Sequence, residues 1–196
     1  ALKFSTSPKG GFDRMVQMES LRETFAELDE YLAGVAEGKY EESLKEKKEE
    51  IDLGPEEARK RGAKLVVADP RRTEIARHAW RVLQFKPDMD VALLNAMIFT
   101  ILEENLVDPE FIRMRTTCFE ALKENAKGFS PEAMGPLCGI PAETIREVAR
   151  AYATSKCSMI LWGMGISQHV HGTDNARCLI ALTLMTGQIG RPGTGL

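Results

Sequence analysis

Between Gly62 and Pro70 the sequence leaves a helix, runs through Lys64-Leu65-Val66-Val67-Ala68 and stops at Asp69-Pro70. The run is short, rich in β-branched residues and closed by a proline that cannot donate to a ladder, so it reads as a buried strand. Glu56 to Arg61 is the end of the helix that feeds it, with Gly62 as a left-handed cap. A second short strand is predicted at Arg81 to Phe85, where Val82, Leu83 and Phe85 precede a Lys86-Pro87 turn. A third, also buried, runs from Ser158 to Trp162 and ends at Gly163-Met164-Gly165. Helical signals separate them. Asp90 caps a long apolar helix from Val91 to Glu104, and Asp108-Pro109 and Ser130-Pro131 each set a capping oxygen before a first-turn proline, starting helices at Glu110 and Glu132. Pro141 opens another, with Ile145, Val148, Ala149 and Tyr152 on one face, and Asn175 to Thr186 forms a last apolar helix closed by Gly187. Strands alternating with helices predict an α/β fold: a three-layer parallel sheet with helices on both faces, of the dinucleotide-binding kind.

Upstream of Gly54-Pro55 the composition shifts. Met15 to Glu50 is rich in Glu, Lys, Leu and Ala, with Leu21, Phe25, Leu28 and Leu32 at helical spacing and a charged tract, ESLKEKKEE, behind them. Residues 1–55 are therefore expected to be a charged, mainly helical segment, either packed on the domain or free to bind a partner, and residues 56–196 the α/β domain. A chain of 196 residues buries a substantial core but holds one domain, or one with an appendage. A net charge of -3 argues against a general nucleic-acid or membrane-surface binder. No apolar run reaches bilayer length and ALKFSTSPKGG lacks the core of a secretory signal, so a cytoplasmic location is the default expectation. The cysteines, Cys118, Cys138, Cys157 and Cys178, stand about twenty residues apart, which is poor metal-ligand spacing. Each lies in or beside an apolar stretch and reads as a small hydrophobe, so no iron–sulfur cluster is expected on this chain alone.

Parallel sheets bind ligands beyond the carboxyl ends of their strands. At the first such end, Asp69 can accept from ribose hydroxyls or a guanine edge, and Arg71 and Arg72 offer forked donors matched to phosphate. At the last, Gly163 and Gly165 would let backbone N–H groups approach a pyrophosphate, and Gln168 can hydrogen-bond a pterin or guanine edge. Each signal has a plainer reading, since DPRR often makes only a turn with a salt bridge and GMG only a tight turn. His169 and His171 invite a metal reading, but in an extended H-V-H the rings point to opposite sides and nothing at usable spacing completes a ligand set. His78 reads as a surface or packed residue, and the pairs Glu41-Glu42 and Glu103-Glu104 as solvated helix faces.

Five segments, ARKRGAKLVVADPRRTEIARHA, KPDMDVALLNAM, LVDPEFIRMRT, CGIPAETIREVARAYA and LWGMGISQHVHGTDNARCLIALTLMTGQIGRPGTGL, resemble in this order and spacing the molybdopterin oxidoreductase superfamily, and within it the formate dehydrogenase α subunits. The resemblance runs from about Glu57 to Leu196 and is most specific from Leu161 onward. It implies that this domain holds a guanine dinucleotide arm of a bis-molybdopterin guanine dinucleotide cofactor carrying molybdenum or tungsten. Asp69 would then meet the nucleoside, with Arg71 and Arg72 nearby. The family's KPGTD turn appears as Lys86-Pro87-Asp88-Met89-Asp90, in which Lys86 and Asp90 match and Asp88 replaces glycine. Gly163, Met164, Gly165 and Gln168 would lie against the pterin portions, and Gly190, Arg191, Pro192 and Gly193 would lead into the next cofactor-binding segment.

The family's iron–sulfur cysteine cluster, its metal-bound Cys or selenocysteine with the adjacent His, its Gly-Ser-Asn loop and its RGQNN segment do not occur in this sequence. The resemblance thus implies a cofactor-binding part of an enzyme. In the complete subunit formate would be oxidised and electrons would leave through iron–sulfur clusters toward NAD or another acceptor, in company with the remaining domains and electron-transfer subunits. A related nitrate reductase is the cousin reading, and a non-catalytic scaffold or assembly module is the alternative of another class. Apolar surface left where neighbouring domains pack predicts association or a homodimer.

Overall fold

The computed structural model describes residues 55–196, so the helices expected between Met15 and Glu50 lie outside the described residues. The chain divides into two compact units, 1–61 and 62–196. In the first, α1 spans Pro55–Lys60 and carries Arg59 and Lys60 in its last turn, where cations face the negative end of a helix dipole. Gly62 follows with φ +91°, the left-handed geometry expected of it.

The second unit begins with a parallel pair, β1 (Val66–Ala68) and β2 (Arg81–Leu83), in the register Val66↔Arg81, Val67↔Val82 and Ala68↔Leu83. A 3₁₀ turn at Glu74–His78 makes the crossover. Both strands are shorter than the apolar runs predicted, although Phe85, past the end of β2, is still buried. The helices are α2 (Asp90–Glu103), α3 (Pro109–Arg115), α4 (Phe119–Ala126), α5 (Pro131–Cys138), α6 (Ala142–Thr154), α7 (Met164–Ser167) and α8 (Gly172–Met185). The fold is α/β with helices predominant. Among the described residues the sheet has two strands, so the three expected layers are not formed by them.

The core is built around α2, which packs against α5, α6 and α8. Ala96, Ile98 and Ile101 of α2 are wholly buried, as are Ile145 and Ala149 of α6, while Leu182 and Met185 close the cluster from α8. Two caps read from the sequence are in place: Asp108 accepts from the Phe111 amide at 2.9 Å and Ser130 from the Ala133 amide at 3.3 Å. Asp90, by contrast, is not the cap of α2. Met89 occupies that position and Asp90 sits buried in the first turn. Two buried threonine hydroxyls are satisfied by the preceding turn of their own helix, Thr100 donating to the Ala96 carbonyl at 2.9 Å and Thr186 to that of Leu182 at 2.7 Å.

The run from Ser158 to Trp162 is not the buried strand expected. It makes one parallel bridge, Met159 with Gly195, where the Ile160 amide donates to the Gly195 carbonyl at 3.0 Å. Leu161 is 87% exposed, and Met159 and Trp162 are exposed too. A strand is buried by what flanks it, and here Ile160 packs against the core while its apolar neighbours on either side stay exposed. Glu103 and Glu104 are likewise not a free solvated face. Glu103 meets Arg146 at 2.6 Å, and Glu104 takes both Nε and Nη2 of Arg150 at 2.8 and 2.9 Å. Arg146 also forks onto Glu132 at 2.9 and 3.0 Å, so α2, α5 and α6 share one charged seam. Among the described residues no helix is long and apolar enough to cross a membrane.

Candidate functional site

Parallel pairing sends the loops after β1 and β2 out of the same edge. Asp69 follows β1 directly, its amide donating to the Leu83 carbonyl at 3.3 Å, and Gln84 reaches back to the Pro70 carbonyl at 3.2 Å. Asp69 Oδ1 accepts from the Arg71 amide at 2.7 Å, the Asx geometry that lets a short side chain hold its own turn. The Arg71 side chain is 84% exposed, its Nε 3.4 Å from the same oxygen, and Arg72 is exposed beside it. A half-exposed carboxylate with two outward guanidinium groups is thus held at a strand end.

The second loop turns at Lys86-Pro87-Asp88-Met89, where the Met89 amide donates to the Lys86 carbonyl at 3.2 Å. Asp88 stands at the third position with φ +64°. The turn therefore keeps the left-handed residue that a glycine would supply, because aspartate is among the few side chains that tolerate it. Lys86 lays its alkyl stem against Gly139 and donates to the Pro136 carbonyl at 3.2 Å. Asp90 is only 6% exposed, and burial pushes its carboxyl above the usual range, with Asp88 adding to the rise and His169 opposing it.

The third loop was expected to leave a strand as a tight turn. Instead Met164–Ser167 forms α7, a single helical turn, in which the Ile166 amide donates to the Gly163 carbonyl at 3.0 Å and that of Gln168 to Met164 at 2.9 Å. The Gln168 side chain donates to the Met164 sulfur at 3.3 Å. A Cβ on Gly163 or Gly165 would meet nothing within 4 Å, so the space above both is open to a ligand. Two residues hold this loop from α8. Asn175, buried, donates to the Ile166 carbonyl at 2.9 Å, and Gly172 approaches Ser167 so closely that a Cβ would lie 2.0 Å from its carbonyl oxygen.

The segment Gln168 to His171 is a bend and turn, so the extended H-V-H geometry does not hold. His169 Nδ1 meets Asp88 Oδ1 at 2.9 Å and its Nε2 faces the Gly165 carbonyl. This joins the second and third loops and makes one continuous edge with Asp69, Arg71 and Arg72, next to β2. Sequence reasoning weighed each member separately and did not foresee the pair. They stand 81 residues apart, and their signal was the Asp at a glycine position of the turn. Gly190 and Arg191 belong to a separate cluster. Arg191 donates to the carbonyls of Gly187 and Lys156 and to the Gln188 side chain, at 3.1–3.3 Å, and so fastens the carboxyl-terminal loop to the end of α8. Of the cysteines, Cys138 and Cys178 are buried as read, whereas Cys118 and Cys157 are exposed.

Residues 50–196 match the family model for molybdopterin oxidoreductase. The chain is 45% identical over 139 residues to the F420-dependent formate dehydrogenase subunit alpha of Methanocaldococcus jannaschii, and 42% identical over 139 residues to formate dehydrogenase H of Escherichia coli. Those matches cover 71% of this chain and 21% and 19% of the two relatives. A nitrate reductase of Synechocystis is 39% identical over 132 residues, 67% of this chain and 18% of that protein. Among solved structures, acetylene hydratase from Pelobacter acetylenicus matches with a TM-score of 0.67 and 32% identity over 69% of this chain and 19% of that one. The chain spans about a fifth of the length of the relatives it matches.

Proposed function

This chain belongs to the molybdopterin oxidoreductase family, and from that premise we propose that it is a cofactor-holding segment of the catalytic subunit of a formate dehydrogenase, binding a guanine dinucleotide arm of its bis-molybdopterin guanine dinucleotide. The observation that carries this reading is the pair of formate dehydrogenase relatives at 45% and 42% identity over 139 residues, beside a family match over residues 50–196 that contains all three loops. The nitrate reductase at 39% supports the shared cofactor and ranks below them on substrate.

The residues suit such a group. Asp69 has one oxygen committed to its own turn and a second available to guanine N–H donors or ribose hydroxyls. Arg71 and Arg72 stand exposed as phosphate partners of the kind that forked guanidinium donors favour. The open space above Gly163 and Gly165 admits close approach of the pterin side, with Gln168 and Met164 on the same turn. Asp90 contributes a buried carboxylate toward the nucleotide, while Lys86, tied to Pro136, steadies the turn that carries it. Gly190 and Arg191 hold the path into the following segment. When bound, the cofactor would supply the metal-centred redox chemistry for formate oxidation in the complete enzyme, whose iron–sulfur clusters lie outside this chain. This chain binds and orients its tails. The remaining domains of the subunit and its electron-transfer subunits are the proposed partners, and exposed Leu161, Trp162 and Met164 supply apolar surface for the former.

Calorimetric titration of the chain with GMP, GDP and molybdopterin guanine dinucleotide, against AMP and ADP, tests the reading. Guanine-selective binding is expected, weakened roughly tenfold or more by Asp69→Ala and by Arg71→Ala, the loss of a charged hydrogen bond in each case. Equal affinity for adenine and guanine nucleotides, or indifference to both substitutions, would exclude these loops as the site and leave the scaffold reading.

A further inference from the structure

His169 has hydrogen-bond acceptors at both ring nitrogens. The Asp88 carboxylate stands at Nδ1, 2.9 Å away, and the Gly165 carbonyl oxygen at Nε2. A neutral imidazole carries one N–H and can satisfy only one of them, whereas the imidazolium satisfies both. We propose that His169 is a positioning residue whose doubly protonated ring clasps the Lys86–Asp90 turn to the α7 loop, so that the two halves of the edge are joined only while the ring is charged.

The surroundings support a charged ring. Asp88 and Asp90 both face it from the turn, and the hydrogen bond to Asp88, then that to Gly165, hold its pKa above the ordinary histidine value. The other charges nearby are occupied: Lys86 of the same turn donates to the Pro136 carbonyl, and Asp174 of α8 pairs with Arg177 at 3.2 Å. α7 contributes no ionisable side chain. Cys138 of α5, beside Asp90, has its thiol pushed up by burial and stays neutral. The clasp also accounts for Asp88 at the position where the resembling turn has glycine, since glycine offers no carboxylate to the ring.

The sign of the effect follows from the geometry. Because the folded ring holds its proton more tightly, the clasp is complete below the ordinary histidine pKa and is lost as pH rises through the elevated one. The consequence for the cofactor edge rests on the function proposed above, but the clasp itself does not.

The test is a pH titration of the chain labelled with ¹⁵N-histidine, following the three rings, together with amide exchange at Ile166 and Gln168. Expected is a His169 midpoint above that of Asp88→Asn, in which it falls toward about 6.5. Protection at both amides, taken relative to the intrinsic base-catalysed rate at each pH, should fall roughly tenfold above the midpoint. Asp88→Gly, which relieves the left-handed strain, should abolish the pH dependence of that protection. A His169 midpoint unmoved by Asp88→Asn, or exchange at Ile166 and Gln168 indifferent to that midpoint, would overturn the proposal. No nucleotide is present, so failure here is separate from failure of guanine binding. Repeating the GDP titration across the same pH range then reads whether the clasp shapes the edge.

Discussion

The charged seam between α2, α5 and α6 and the joint between the Lys86–Asp90 turn and α7 are both built from ion pairs, yet they respond to pH in opposite senses. In the seam, arginine hydrogen bonds hold Glu104 and Glu132 below the usual carboxylate range, and outside it Arg81 of β2, bonded to Glu147 of α6 at 2.8 Å, does the same for that residue. A depressed carboxylate stabilises the fold above its unfolded pKa and loses that contribution as pH falls through the folded value. The joint depends on a histidine whose pKa is raised, so it weakens as pH rises. The seam ties helices that already bury an apolar core, whereas the joint ties two loops through a single histidine ring.

The largest way to break this contrast is in the core. Ile98→Ala removes a wholly buried side chain of α2 and is expected to cost about 2–5 kcal/mol in urea unfolding, with the His169 midpoint unchanged in the folded protein. Gly172→Ala comes next. Its Cβ would press on the Ser167 carbonyl, costing about 1–3 kcal/mol, and in contrast to Ile98→Ala it should accelerate exchange at Ile166 and Gln168 beyond the global loss. The smallest effect sharpens the comparison. Arg146→Met retains the stem over the helices and removes the fork onto Glu132 and the contact with Glu103, for about 1–2 kcal/mol near neutral pH. That difference should vanish as pH falls through the carboxylate range. Persistence of the full difference in acid would mean that packing, not charge, is what Arg146 contributes.

How far the sequence foretold this depends on the distance over which each feature is determined. Asp108-Pro109 and Ser130-Pro131 announced helix starts because a cap and its amide lie within one turn. The helix from Asp90 and the two parallel strands followed from runs of apolar residues and the breakers after them. Ser158 to Trp162 misled for the opposite reason. Its composition describes what the segment suits, while its burial depends on what packs over it, and the described residues leave Met159, Leu161 and Trp162 exposed. Glu103 and Glu104 looked solvated because their partners, Arg146 and Arg150, lie on another helix. The loops divided the same way: the DPRR turn with its Asp69–Arg71 pair spans four residues and was legible as a local motif, and Asp88 with His169 was not.

The two tryptophans lie one in each kind of surrounding. Trp80, next to β2, is flanked by the cations of Lys64 and Arg81 at 4.6 and 4.7 Å from its ring centre, while Trp162 stands exposed just ahead of α7. The chain therefore carries two native optical reporters of different accessibility. Replacing either with phenylalanine leaves a single tryptophan emitter, so that a collisional quencher can follow the strand pair and the approach to α7 separately, without any label being attached.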